Sequence, residues 1–266
     1  MNRIDRKFHE LKKQKKKALI VFMTAGDPNF QKNAELIPAF EKDGVDLIEL
    51  GVPFSDPLAD GPVIQASSQR SLKKKTNLKK ILALVKKVRK KSGIPVVLMS
   101  YLNPVMRYGY RKFASDAKKA GVDGMIFPDL PPEEGKEVAS RMAEKDLCLI
   151  YLLAPTSNAE RKALVARASR GFIYYVSVTG VTGMRRKLPK EVRSDLARVK
   201  RKTKTPVCVG FGISEPSQAS KMAKNADGVI VGSALVDFIH RHARESAGWI
   251  SKTFIRPFAA ALGKYR

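Results

Sequence analysis

Short runs of apolar and β-branched residues, closed by Gly or Pro, alternate along the chain with longer stretches in which apolar residues recur every three to four positions. The short runs predict eight strands, at 19–25, 46–52, 95–101, 124–129, 148–154, 172–178, 206–211 and 228–232. The longer stretches predict helices over 31–43, 77–91, 111–120, 132–145, 158–169, 191–203 and 216–224. Two further helices lie at the ends, one before the first strand and one over roughly 247–262. Strands this uniformly apolar are buried on both faces, as in a parallel sheet covered by helices. Eight strand–helix units in about 250 residues predict a (β/α)8 TIM barrel, with an extra N-terminal helix and a C-terminal closing helix. An open doubly wound sheet is the alternative, but no G-x-G-x-x-G follows the first strand.

The 266 residues contain no linker, low-complexity segment or composition break, so a single domain over 1–266 is expected. No run reaches the roughly 18 apolar residues of a membrane helix. The N-terminal "MNRIDRKFHELKKQKKKALI" is basic but has no continuous apolar core or small-residue cleavage site, so export is rejected and a cytoplasmic protein expected. Cys148 and Cys208 lie inside strand runs and read as buried free thiols. His9, His240 and His242 lack metal-ligand spacing and read as surface residues, and no metal is expected.

Charge changes this picture. Lys and Arg number 51 against 25 acidic residues, a formal net charge of +26. Such a field draws in anions, nucleic acid included. Yet much of it falls on polar helix faces such as "SLKKKTNLKKILALVKKVRKK", and no nucleic-acid recognition motif is present, so specific nucleic-acid binding is not expected.

The candidate chemistry gathers at the C-terminal ends of strands, where barrels of this kind carry their sites. In "LIELGVPFSDPLADGP" (47–62), alternation puts Leu47 and Glu49 on one face of the second strand, pointing into the barrel or into the helix layer. Neither environment is water, so burial raises the carboxyl pKa toward the range needed by a general acid–base group. The competing reading is a carboxylate paired with a buried cation, but the strand interiors hold no Lys or Arg. Asp56 and Asp60 fit turn chemistry and ligand contact equally well. "TGVTG" (179–183), "GFGIS" (210–214) and "GSA" (232–234) close the later strands and expose backbone N–H groups suited to a phosphate. No strand-end Lys offers a Schiff base, which leaves acid–base chemistry on an organic phosphate.

"ELGVPFSDPLADGPVIQ", together with "TAGDP", "GVTG", "GFGIS" and "GSALV", resembles the tryptophan synthase α-subunit family from about residue 3 to residue 263. The resemblance implies a (β/α)8 barrel that cleaves indole-3-glycerol phosphate to indole and D-glyceraldehyde 3-phosphate. It implies Glu49 as the acid–base group, Asp60 as the carboxylate facing the indole N–H, and Tyr174, in preference to Tyr175, as the active-site tyrosine. Gly183, Gly212, Gly232 and Ser233 would bind the phosphate. Phe22, Tyr101, Thr182 and Phe211 would form the indole pocket and lid, with 179–190 as the lid. No cofactor is implied for this chain. Pyridoxal phosphate is implied on a partner β subunit, in an αββα heterotetramer that accepts the indole. Pro53, Phe54, Asp56 and Pro57 would face that partner. A stand-alone lyase releasing free indole and a non-catalytic activating subunit are the alternatives; the basic excess is atypical of the family.

Overall fold

A computed structural model describes residues 1–176, 190–210 and 212–264. The strands are β1 (Ala18–Thr24), β2 (Leu47–Gly51), β3 (Val96–Met99), β4 (Gly124–Ile126), β5 (Cys148–Ile150), β6 (Leu152–Leu153), β7 (Ile173–Val176), β8 (Val207–Gly210) and β9 (Gly228–Val231). All pair in parallel, in the order β5-β4-β3-β2-β1-β9-β8-β7-β6. The two ends of that order, β5 and β6, are separated only by Tyr151, so the ring is nearly closed through one interrupted pass of chain. This is the TIM barrel expected, with the fifth predicted strand divided. At the division the Tyr151 N–H turns to Ser169 Oγ at 3.4 Å. Pairing then passes from β4 to β7.

The helices are α1 (Arg3–Lys13), α2 (Phe30–Lys42), α3 (Pro62–Lys73), α4 (Leu78–Val88), α5 (Leu102–Tyr108), α6 (Tyr110–Ala120), α7 (Lys136–Ala143), α8 (Ala159–Ala168), α9 (Lys190–Arg201), α10 (Pro216–Ala223) and α11 (Ser233–Arg241). α12 (Ala247–Ile250), a π-helical turn (Ser251–Ile255) and α13 (Arg256–Ala261) follow. Asparagine side chains cap α1, α2, α4 and α8 by accepting the N–H of an early helical residue, satisfying donors that the helix itself leaves open. Helices α3, α5 and α11 were not anticipated. α3 turns serines inward at 67, 68 and 71, so it has no apolar stripe to read. α5 is short and carries an internal proline, and the start of α11 reads as a phosphate loop.

Strand parity separates two cores. Inward-facing Ile20, Leu47, Val97, Ile126, Cys148, Ile150, Tyr174, Cys208 and Ile230 fill the barrel. Ile4, Phe8 and Leu11 of α1 pack into the same cluster and close its N-terminal end. The alternate residues, such as Val21, Ile48, Leu98 and Val209, pack under the helices. Both cysteines are free and buried. His9 and His240 are exposed, whereas His242 is half-buried with its ring 4.4 Å from that of Phe238.

At the barrel's N-terminal end, three aspartates precede strands and each accepts the first free N–H of a neighbour. Asp46 takes Leu19 N–H at 2.8 Å, Asp123 takes Val96 N–H at 2.9 Å and Asp227 takes Val207 N–H at 2.9 Å. Lys264 pairs with Asp46, Arg3 and Arg89 with Asp123, and Lys200 with Asp227. No helix among the described residues is long and apolar enough to cross a membrane.

Candidate active site

Glu49 stands in register with Phe22 on β1 and Val97 on β3, on the inward face. Of the two orientations open to it from the sequence, the barrel interior is the one adopted. It is 1% exposed, and its Oε2 has no hydrogen-bond partner among the described residues. Burial pushes its carboxyl up to about 8, and the nearby charge of Asp60 pushes in the same direction.

Asp60 sits in the loop after β2, half-buried. Its carboxyl is raised to about 6 by burial, and a hydrogen bond from Tyr101 acts against that rise. The loop around it is fixed. Ala59 N–H donates to the Tyr101 hydroxyl at 2.8 Å, Asp60 N–H to Pro57 O at 3.0 Å, and Gln65 Nε2 to Asp60 O at 2.8 Å. The Tyr101 ring lies under Phe54 with centroids 5.2 Å apart. Near neutral pH the two carboxyls therefore differ: Glu49 holds its proton and Asp60 is ionised.

Tyr174 faces inward from β7, and its phenol is raised well above its ordinary value, first by burial and then by the charges of Glu49, Cys208 and Asp60. Its neighbour Tyr175 faces the helix layer and donates to Asp195 Oδ2 at 2.8 Å. Two glycines make room for the rings at the mouth. A Cβ on Gly210 would meet Tyr174 Oη at 2.6 Å, and one on Gly51 would meet Phe22 Cζ at 2.4 Å. Phe22, Asp60 and Tyr101 line one cleft together with Ile64, Met99 and Ser100, three residues the sequence reading missed. Ile64 lies on α3, which gave no readable period, Ser100 directly precedes Tyr101 at the end of the third predicted strand, and Met99 is two positions after inward Val97.

Gly232 is the N-cap of α11 and Ser233 its first residue, and among the described residues no side chain caps that helix. Ser233 is exposed. Gly212 has φ +72, a left-handed conformation that favours glycine, and a Cβ there would meet nothing within 4 Å. Thr182, Gly183, Phe211 and all of the lid expected over 179–190 except Lys190 lie outside the described residues. Of the expected partner-facing residues, Pro53 is buried, Phe54 and Pro57 are half-buried and Asp56 is exposed. Leu58, directly after Pro57, is 86% exposed, a large apolar side chain the residue-by-residue reading did not single out. Among the described residues no group of three His, Cys, Asp or Glu side chains is placed to hold a metal ion.

Residues 8–259 match the family model described as tryptophan synthase alpha chain. The tryptophan synthase alpha chain of Geotalea daltonii is 55% identical over 236 residues, 89% of each chain. That of Geobacter sulfurreducens is 48% identical over 263 residues, covering 99% of this chain and 100% of the relative. The crystal structure of the alpha chain from Legionella pneumophila superposes with a TM-score of 0.90 at 40% identity, over 99% of this chain and 98% of that one. An inward carboxyl that keeps its proton beside an ionised one, at the mouth of a barrel with this signature, agrees with those matches: the chain belongs to the tryptophan synthase alpha chain family.

Proposed function

We propose that Glu49, Asp60 and Tyr174 carry out the carbon–carbon cleavage of this lyase, the conversion of indole-3-glycerol phosphate to indole and D-glyceraldehyde 3-phosphate. The observation that carries the assignment is the separation of the two carboxyl pKa values, about 8 and about 6. Protonated Glu49 gives its proton to indole C3. The ring becomes an iminium-like cation whose N–H faces the Asp60 carboxylate, which stabilises the charge as it develops. Glu49, now ionised in an apolar setting, takes the proton of the hydroxyl on the carbon attached to C3. The C3–carbon bond breaks, its electron pair returns to the ring and the aldehyde forms. One proton is given and one recovered, so no cofactor is consumed in this chain. The buried phenol of Tyr174 stays protonated.

Gly212, Gly232 and Ser233 bind the phosphate, using the open N-terminus of α11. Gly183, Thr182 and Phe211 take the phosphate and lid roles that the family resemblance gives them. The chain works as one barrel domain in the cytoplasm, with a β subunit that carries pyridoxal phosphate and receives the indole. Exposed Asp56 and Leu58 supply the docking loop, and the Phe54–Tyr101 stack joins that loop to Asp60. Indole release from indole-3-glycerol phosphate by the purified chain tests the assignment. Glu49→Gln is expected to lose roughly 10²–10⁴-fold in kcat; unchanged release would sink it.

A further inference from the structure

The "TAGDP" segment (24–28) at the end of β1 has no role in the chemistry above, yet it is the most heavily bonded turn at the mouth of the barrel. Four side chains on one face of α3 and its C-cap bond to it. Ser67, Arg70, Ser71 and Lys74, spaced i, i+3, i+4 and i+7, fall on a single helical stripe. Ser67 Oγ lies 2.6 Å from Thr24 Oγ1. Arg70 grips Asp27 with two bonds, Nε to Oδ1 at 3.0 Å and Nη2 to Oδ2 at 2.7 Å. Ser71 Oγ donates to Ala25 O at 2.5 Å, and Lys74 Nζ donates to Pro28 O. Asp27 is 6% exposed, and its backbone carbonyl is held by Asn33 Nδ2 at 3.0 Å.

This stripe occupies the face where a helix on a barrel ordinarily carries apolar residues. A greasy face tolerates sliding, whereas a bidentate Arg–carboxylate pair and three further bonds fix one register. What they fix lies just upstream. α3 begins two residues after Asp60, and Gln65 in its first turn holds the Asp60 carbonyl at 2.8 Å. β1 itself carries Phe22, in register with Glu49. We infer that the Asp27–Arg70 pair and the serine bonds beside it position Asp60 against Glu49, transmitting the register of β1 through α3 to the catalytic loop. Asp27 and Arg70 are thus positioning residues that touch neither substrate nor reacting atoms.

The inference rests on the role proposed for Asp60, and a double-mutant cycle separates the two. Arg70→Gln is expected to lower kcat for indole release by about tenfold or more, with KM changed by less than about threefold, since sub-ångström misplacement acts on the transition state. The same change made in Asp60→Asn is expected to cost less than about twofold, because the group being positioned is already gone. Equal losses in the two backgrounds would assign Arg70 a purely structural role and overturn the inference alone. Full activity in Asp60→Asn would overturn the reading on which it rests. Arg70→Lys, which keeps the cation but not the paired geometry, gives the same cycle where Arg70→Gln does not fold.

Discussion

A single carboxyl proton decides when this site is competent. With Glu49 at about 8 and Asp60 at about 6, the required state is acid on the first and carboxylate on the second, which is populated between those values. kcat/KM for indole release should therefore trace a bell with limbs near 6 and 8, the two values belonging to the coupled pair. In the residual activity of Asp60→Asn the alkaline limb should move to lower pH. The Asp60 charge is the second cause raising Glu49, and burial, the first, is untouched. An alkaline limb that stays in place would show that the two do not interact. The same shift costs stability. Glu49 titrates at about 8 folded against an ordinary 4.5, so the folded state holds more protons between those values and stability falls as pH rises through that window. Glu49→Gln removes the effect. Its stability advantage over the parent should grow from pH 4.5 to 8, reaching a few kcal/mol at about 1.4 per unit; chemical denaturation at several pH values measures it. Glu49 was legible in the sequence because a charge within an apolar strand is conspicuous and alternation leaves it only dry faces. Asp60 was legible only through the family signature, because its place depends on Tyr101 and Gln65 holding a loop whose composition is that of any turn.

At the scale of elements, the short continuous apolar runs of β1, β2 and β8, buried on both faces, and the period near 3.6 in α4 and α6 were legible, since burial writes itself into the sequence. α3 was not, because its inner face is held by hydrogen bonds instead of apolar burial. The divided fifth strand was not, because Ser169 competes for a single backbone N–H and leaves the apolar pattern intact. The aspartates at the opposite end of the barrel join strands to helices by charge. Asp123 accepts from Val96 N–H and pairs with Arg3 and with Arg89, whose side chain is only 12% exposed. Asp123→Ala leaves that guanidinium buried without its partner, at a cost of about 3–5 kcal/mol. Urea unfolding should show this loss while kcat of the folded enzyme is unchanged, because conservation of chemistry and of frame are separated at the two ends of such a barrel. A proportionate loss of kcat would contradict that separation. At the site end the reverse holds. Gly210→Ala drives a methyl into the Tyr174 phenol, and indole release should fall well before the fold does.

For the molecule as a whole, the dominant long-range term is the net charge of +26. The ion pairs of the described residues range from shielded to exposed. Arg89–Asp123 and Lys264–Asp46 at the strand bases are shielded from solvent, whereas Lys118–Asp146 and Arg241–Asp237 are broadly exposed. Exposed pairs contribute little and buried pairs are only weakly screened, so added salt takes away almost no local stabilisation. Mutual repulsion among the excess cations acts across the surface through solvent, and salt does weaken it. At 0.1 M ionic strength the screening length is already about 10 Å. Thermal stability should therefore rise between 10 mM and 300 mM sodium chloride, by a few degrees, the reverse of a protein held by surface ion pairs. Calorimetry in chloride, without phosphate or sulfate that could occupy the α11 N-terminus, checks the sign. The same field favours capture of a phosphate ester, so salt should raise KM for indole-3-glycerol phosphate and leave kcat alone. A Tm that falls with salt would mean that the local pairs outweigh the net charge, and the basic excess would then be a stabilising network in which the acidic residues are the scarce partner.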